Sequence, residues 1–408
     1  MAADLEHYRD GCGAGMTLGW MSIAEVRWSV LLIVVGLLLC GIGTSSHAQP
    51  TQRALSAQLI AQVDSLANAQ LAIDGVGGMT IGVVGDGGLI WTNSYGYADM
   101  ARRVPASRST VYRVGSITKQ FTALMLQQLA DRGVVQLSAP VDRYWPAFDA
   151  IASHDARARR VTLLELATMT SGLAQEPDPE ERYTVGRLED WEHTLIAALP
   201  HTTFHAEPGV AWEYSNIGYA ALGAALQHAA HASYLEYIPD HILRPLGMTH
   251  SGFRLDSAAR ALLATGYAMG QGIVDTVAPR RELAGRGYKV PNGGLFSTVD
   301  DLAAFMHFEM GFGPDAVLSR ASVARHFAKL DYATNDLTSG YGLGFHAIRR
   351  GSLVALGHPG SVAGYLSAAY FDPVSHTGVI VLRNVDDAHF DVLNVCLRVL
   401  ELAASAPR

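Results

Sequence analysis

Cysteine is nearly absent. The chain carries three, Cys12, Cys40 and Cys396. The first two lie in a leader-like N-terminal stretch, so its removal leaves Cys396 alone. That excludes an internal disulfide, and the core must supply the stability. Cys396 sits in the apolar run Val392 to Leu402 and reads as a small buried hydrophobe. Charge is also sparse, at 17% of residues, with a formal net charge of −8. No basic run or basic helix face occurs, which excludes a nucleic-acid surface. Internal repeats and low-complexity tracts are missing too. What the chain does have is apolar content, 49% of 408 residues, enough for one large domain or two smaller ones with a sizeable core.

The most continuous apolar stretch is Trp28 to Ile42, which has no charge and follows Arg27. It is shorter than the roughly 20 residues that a membrane span needs. Ser46-His47-Ala48 then offers small residues where a signal peptidase reads. Residues 1–48 are read as a secretory signal cleaved after Ala48, with residues 1–20 an extension before a more ordinary start at Met21. An uncleaved anchor through residues 28–42 is the alternative. Leu39 stands where a lipoprotein signal at Cys40 needs a small residue. The expected location is exported, either periplasmic or secreted.

Residues 49–408 read as one domain. Leu59, Val63 and Leu66 recur at helical spacing, which predicts a helix from about Ala54 to Leu71. Met79 to Val84 and Leu89 to Ser94 predict two strands around an Asp86-Gly87-Gly88 turn. A helix follows from about Ser116 to Arg132, stopped by Gly133. The middle, to about Thr334, is helical pattern broken by loops. The loop Gln175 to Arg182, with two prolines and several acids, reads as a solvated surface loop or as a lid over a site. Strands return at Gly342 to Ile348, Leu353 to Leu356, Tyr365 to Phe371 and Val379 to Leu382, before a last helix from about Asp387 to Ala403. The expected fold class is α/β: an antiparallel sheet, from about residues 75–100 and 340–385, flanked by N- and C-terminal helices, with a large helical region inserted at about 116–335.

Three patterns carry chemistry. Ser116-Ile117-Thr118-Lys119 puts a hydroxyl and an amine on one helix face, where the amine can activate a serine that is a poor nucleophile alone. The helix N-terminus would also favour a developing anion. Tyr214-Ser215-Asn216 offers a phenol for proton relay and an amide that can hold both substrate and lysine. Gly357-His358-Pro359-Gly360-Ser361 offers a backbone N–H after Gly360 that could complete an oxyanion hole with the N–H of Ser116, and an imidazole that could meet a carboxylate. Each is weak alone. S-x-x-K arises by chance, Asn216 reads equally as a helix cap, and His358 as a loop histidine.

Order and spacing change this. S-x-x-K, Y-S-N and H-P-G follow one another at separations of about 100 and about 140 residues. In this the chain resembles the serine β-lactamases and penicillin-binding proteins, and within them the class C β-lactamase family with its D,D-carboxypeptidases, D-aminopeptidases and carboxylesterases. Tyr112-Arg113-Val114-Gly115-Ser116, Thr170-Ser171-Gly172-Leu173, Glu207-Pro208-Gly209 and Pro245-Leu246-Gly247-Met248 are similar to stretches of that family. So are Gly293-Gly294-Leu295 with Ser297-Thr298, Tyr341-Gly342-Leu343-Gly344 and Gly364-Tyr365. The resemblance runs from about Ala54 to Leu402. It implies Ser116 as acylated nucleophile, Lys119 and Tyr214 as its base system, and Asn216, His358, Gly360 and Ser361 as substrate-binding residues. His358 stands where β-lactamases of this class have the lysine of K-T-G, so a titrating imidazole replaces a fixed cation. Met169 stands where many relatives have histidine.

The expected function is an acyl-transferring serine hydrolase of small esters or amides, of D,D-peptidase or esterase type, with a small-molecule substrate and no cofactor. The alternatives are a β-lactamase proper and a penicillin-binding protein that acylates without turnover. No membrane partner is expected unless the signal stays uncleaved. A metalloenzyme would draw on His201 with His205, or His228 with His231. Neither pair has the glutamate of H-E-x-x-H, and scattered surface histidines explain both. If His358 meets a substrate carboxylate, binding of anionic substrates should titrate near pH ~6.5.

Overall fold

Alternation along the strands and 3.6-residue spacing along the end helices put one sheet between two apolar layers. A computed structural model describes residues 55–270, 273–328, 330–332, 338–387 and 390–405. The signal-peptide reading, Cys12 and Cys40 lie outside these residues. After helix α1 (Ala57–Asp74) come β1 (Gly78–Gly85), β2 (Gly88–Asp99) and β3 (Val104–Pro105). The late strands are β4 (Leu330–Tyr332), β5 (Ser339–Gly342), β6 (His346–Arg350), β7 (Leu353–Val362), β8 (Tyr365–Asp372) and β9 (Thr377–Arg383). They form one nine-stranded sheet in the order β3-β2-β1-β9-β8-β7-β6-β5-β4. The two ends of the chain meet where β1 pairs antiparallel with β9, Met79 opposite Arg383. The helical region is inserted between them, as expected.

Ser56 caps α1 by accepting from the Leu59 N–H at 3.2 Å. Gly75 ends the helix in the left-handed conformation, φ 65°. The last helix, Val392–Ala404, buries Val392, Val395, Cys396, Leu397, Val399, Leu400 and Ala403, a broad apolar face at helical spacing. These residues cover one sheet face with Leu59, Val63 and Ala67 of α1 and the strand residues Ile81, Val83, Val379 and Val381. The intervening Ile380 and Leu382 point the other way, into the core shared with the inserted helices. Cys396 is fully buried in the first layer, its Sγ 3.3 Å from the Val379 carbonyl.

Two expectations need correction. The strand read from Gly342 to Ile348 is two, β5 and β6, because Gly344 turns the chain at φ 77°. The strand read as ending at Leu356 runs on to Val362 and takes Gly357 to Ser361 into the sheet. Pro359 is tolerated there for a reason given below. No helix among the described residues is long and apolar enough to cross a membrane.

The inserted region buries one carboxyl without a cation. Glu309 is 5% exposed and accepts from Gln120 Nε2 at 3.0 Å, and burial pushes its carboxyl up to about 8. An unfolded glutamate releases its proton near pH ~4.3. As pH rises from there towards 8, the unfolded state loses a proton that the folded state keeps, so this group's contribution to stability falls. Glu309→Gln removes the titration and keeps the shape. In urea unfolding its gain over wild type is expected to be small at about pH 5 and several kcal/mol at about pH 8. An equal effect at both values would contradict the buried neutral carboxyl.

Candidate active site

Ser116 lies in a short turn, Gly115–Ile117, directly before helix α2 (Thr118–Asp131), which begins two residues later than the helix expected from the serine itself. The i, i+3 relation survives: Lys119 Nζ is 3.1 Å from Ser116 Oγ. Several segments fix this turn. Gly115 has φ 52°, and a Cβ there would sit 2.8 Å from the Ser361 nitrogen. Thr118 Oγ1 donates to the Gly115 carbonyl at 2.7 Å and accepts from the Leu295 N–H at 3.2 Å. Thr122 Oγ1 donates to the Pro291 carbonyl at 2.6 Å. The stretch Pro291 to Leu295 is thereby laid along α2.

Tyr214 arrives on a segment clamped by residues 169–175. The Glu213 N–H donates to the Met169 carbonyl at 2.8 Å, and the Ser215 N–H meets Met169 Sδ at 3.2 Å. Ser215 Oγ donates to the Ala174 carbonyl and caps helix α3 (Asn216–Ala230) by accepting from the Gly218 N–H. The cap is thus Ser215, and Asn216 is the first helical residue, with its side chain free for the site. Tyr214 Oη donates to Ser116 Oγ at 2.8 Å, and Asn216 Oδ1 accepts from Lys119 Nζ at 2.8 Å. A third acceptor, the Asn292 carbonyl, lies 3.0 Å from Nζ.

Lys119 has no exposed surface. Burial holds its amine well below the usual lysine range; Glu176 opposes that shift, and Lys289 and Arg286 add to it. A neutral amine has two N–H donors and one lone pair. The Asn216 and Asn292 oxygens are pure acceptors and take both donors. The lone pair then faces the Ser116 hydroxyl, the partner able to donate. This is the geometry of a general base on a nucleophile. Burial also raises the Tyr214 phenol above its ordinary value, so it stays protonated and donating.

The late motif brings the sheet edge to the serine. Val362 and Tyr365 face each other across a two-residue turn. Ladder alternation then directs the backbone groups of His358, Gly360 and Val362 to β8, and those of Pro359 and Ser361 to the other edge. Partnering by β6 on that edge ends at the pair Gly357–His346. Pro359 therefore costs no ladder bond. Gly360 passes so close that a Cβ would lie 2.1 Å from the Val114 carbonyl and 3.1 Å from the Ser116 nitrogen. The approaches of Gly115 to the Ser361 nitrogen and of Gly360 to the Ser116 nitrogen bring the two backbone segments side by side, and two neighbouring N–H donors are what an oxyanion hole requires.

His358 departs from the expectation of a titrating carboxylate reader. It is 2% exposed, with Nε2 at 2.9 Å from Tyr341 Oη and Nδ1 at 2.5 Å from its own Pro359 carbonyl. Burial first, and then nearby Lys119, hold the imidazole well below its usual range. The loop Gln175 to Arg182 is neither plain surface nor detached from the site. Its Glu176 accepts from Asn216 Nδ2 at 2.6 Å, from Lys289 Nζ at 2.8 Å and from Tyr288 Oη. Glu176, Tyr288, Lys289, Asn292 and Tyr341 were not identified from the sequence; the acid-rich loop was the one signal for Glu176. The histidine pairs go elsewhere: His205 binds Glu213 and His228 binds Glu192, each at 2.6 Å. Among the described residues no three potential ligands form a metal cluster.

A family model described as Beta-lactamase matches residues 63–401. The chain belongs to the beta-lactamase family. Within it, the chain is similar to Protein flp of Staphylococcus aureus (strain MW2), 27% identical over 332 residues, 80% of this chain and 64% of that one. It is also similar to Beta-lactamase-like protein 2 of Dictyostelium discoideum, 28% identical over 313 residues, 74% of this chain and 55% of that one. The chain thus spans less than two thirds of the length of these curated relatives. Among solved structures it is similar to the octameric penicillin-binding protein homologue from Pyrococcus abyssi, with a TM-score of 0.71 at 25% identity over 84% of this chain and 77% of that one. The family's fold applies here.

The burial of His358 has a direct readout. In a histidine-detected NMR titration, the His358 signal, assigned by its loss in His358→Gln, is expected to stay flat from about pH 5 to 8. A midpoint near pH ~6.5 would contradict its burial and restore the charged imidazole.

Proposed function

We propose that the protein is a serine hydrolase that works through an acyl-enzyme on small esters or amides, with neutral substrates preferred. The observation that carries this reading is the contact of Ser116 Oγ with both a buried lysine amine and a tyrosine hydroxyl. Ser116 Oγ attacks the carbonyl carbon while its proton passes to Lys119. The tetrahedral oxyanion lies between the N–H groups of Ser116 and Ser361. As the intermediate collapses, the bond to the leaving group breaks, and the leaving group takes a proton relayed through Tyr214. Water then attacks the acyl-serine by the reverse proton path, releasing the acid and the free serine.

The preference for neutral substrates follows from His358. With the imidazole buried, neutral and paired to Tyr341, the strand offers no cation where K-T-G enzymes carry one. The reading includes export, on the strength of the apolar stretch at residues 28–42. A second reading is favoured by the likeness to a penicillin-binding protein homologue: a protein that β-lactams acylate without turnover. Intact-mass measurement separates the two, since a long-lived penicillin adduct marks the binder and rapid turnover the hydrolase.

Ser116→Ala is expected to abolish hydrolysis of a p-nitrophenyl ester while leaving the melting curve nearly unchanged. Tyr214→Phe is expected to lower the rate by roughly 10²–10⁴, the usual worth of general acid–base catalysis. For a matched pair of esters with and without a carboxylate, kcat/KM is expected to favour the neutral one. Residual activity above a few per cent in Ser116→Ala would sink the nucleophile assignment, and a preference for the anionic ester would sink the substrate reading.

A further inference from the structure

Lysine is rare in this protein. The chain has three, Lys119, Lys289 and Lys329, against 27 arginines. Two of the three belong to one buried network. Lys119 touches the candidate nucleophile, and Lys289, its side chain 10% exposed, lies three hydrogen bonds further on. Between them stand Asn216 and Glu176. The network runs from Ser116 Oγ to Lys119 Nζ, to Asn216 Oδ1, and from Asn216 Nδ2 to Glu176 Oε1. Glu176 is held in turn by Lys289 Nζ at 2.8 Å and by the Tyr288 hydroxyl. Lys289 also binds Glu180 of the same loop at 2.6 Å.

The asparagine is the weak point of such a chain. A carboxamide has a donor end and an acceptor end of nearly the same shape, and either orientation fills the same space. The two are not equivalent for Lys119. With Oδ1 towards the amine, Lys119 spends its two N–H groups on Asn216 and Asn292 and keeps its lone pair for Ser116. With Nδ2 towards the amine, the lone pair is drawn to Asn216, an N–H turns to Ser116, and the base is lost. An ionised carboxylate only accepts, so Glu176 binds the Nδ2 end and rejects the Oδ1 end.

We propose that Glu176, braced by Lys289 and Tyr288, is a positioning residue that locks the Asn216 carboxamide with its oxygen towards Lys119 and so aims the Lys119 lone pair at Ser116. This rests on the reading of Ser116 and Lys119 as nucleophile and base. The hydrogen bonds of Glu176 go to Asn216, Lys289 and Tyr288, and it acts through Asn216. Its charge acts on the same amine. Lys119 is surrounded by Ser116 on its own turn, the rings of Tyr214 and Tyr219 at 4.7 and 5.7 Å, the Asn292 carbonyl, and neutral His358 across the sheet edge. The charges that bear on it are Glu176, which favours its protonated form, and Lys289 and Arg286, which oppose it.

The test reads Lys119 directly and needs no substrate. Protein labelled at lysine Cε gives three signals, one per lysine. Lys289→Met and Lys329→Arg assign them by loss. Removing the carboxylate in Glu176→Gln is expected to move the Lys119 midpoint to lower pH, and removing the opposing cation in Lys289→Met to higher pH. In parallel, Glu176→Ala is expected to cut ester turnover about 10- to 100-fold in kcat with a smaller change in KM, the rate equivalent of one charge-assisted hydrogen bond. A residue that merely supported the fold would lower the melting temperature and leave the midpoint in place. Unmoved midpoints in both Glu176→Gln and Lys289→Met overturn the proposal. If Glu176→Gln does not fold, Lys289→Met decides alone. A wild type inert to every ester would count against the functional reading, while the lysine midpoints would still judge the lock.

Discussion

The Lys119 side chain has no accessible surface, and its near partners are three neutral oxygens, from Ser116, Asn216 and Asn292. An ammonium in that setting pays a desolvation penalty without a carboxylate in contact to offset it. The amine is therefore driven towards its neutral form, in which it can accept a proton. Much of the surrounding architecture serves to bring those oxygens to one nitrogen and to exclude water around it. Protonation and stability are coupled here, since the burial that favours a neutral lysine also makes the side chain costly to fold.

The family-like stretches of the sequence and the glycines near them take on a common sense around helix α2. Gly344, in the Tyr341 to Gly344 stretch, packs so closely that a Cβ would meet the Lys119 carbonyl at 2.8 Å and the Ala123 methyl at 2.6 Å. Gly223 on α3 leaves room for Pro291, which a Cβ would approach to 2.4 Å. Gly172, at φ 75°, lets the chain turn beneath the Ala206 carbonyl and hand the Met169 and Ala174 contacts to the tyrosine segment. These glycines permit backbone approaches that a side chain would block, and each approach fixes a segment carrying a site residue.

What the sequence made legible was local or periodic. Ser116 and Lys119 were legible because their contact is one helical turn long. Strands β1, β2, β8 and β9 and both end helices followed from alternation and spacing, while the short edge strands β3 and β4 did not. The approach of Ser361 to the serine turn depends on the strand edge left open beyond the pair Gly357–His346. What stayed hidden depended on distant partners. Glu176 meets residues 40, 112 and 113 positions away, which no local pattern reports. The charge state of His358 could not be read from H-P-G, because it is set by burial and then by Lys119 on a distant element. The break between β5 and β6 was missed because Gly342 to Ile348 is apolar enough to read as one strand, while Gly344 bends it.

The central claim is that Ser116 is the one activated hydroxyl. A competing Ser–His contact exists in the protein, Ser339 Oγ to His346 Nε2 at 2.7 Å, with Tyr370 Oη 3.1 Å from Nδ1. Burial holds His346 down to about 4, a poor base beside the amine of Lys119. Reaction with a fluorophosphonate ester followed by tryptic peptide mapping addresses the two directly, because cleavage after Arg113 and Lys119 releases Ser116 on the short peptide Val114 to Lys119. A single phosphonyl adduct on that peptide, placed on Ser116 by fragmentation and absent in Lys119→Met, is the expected result. An adduct on Ser339, or labelling of Ser116 that persists at the wild-type rate without Lys119, would contradict it.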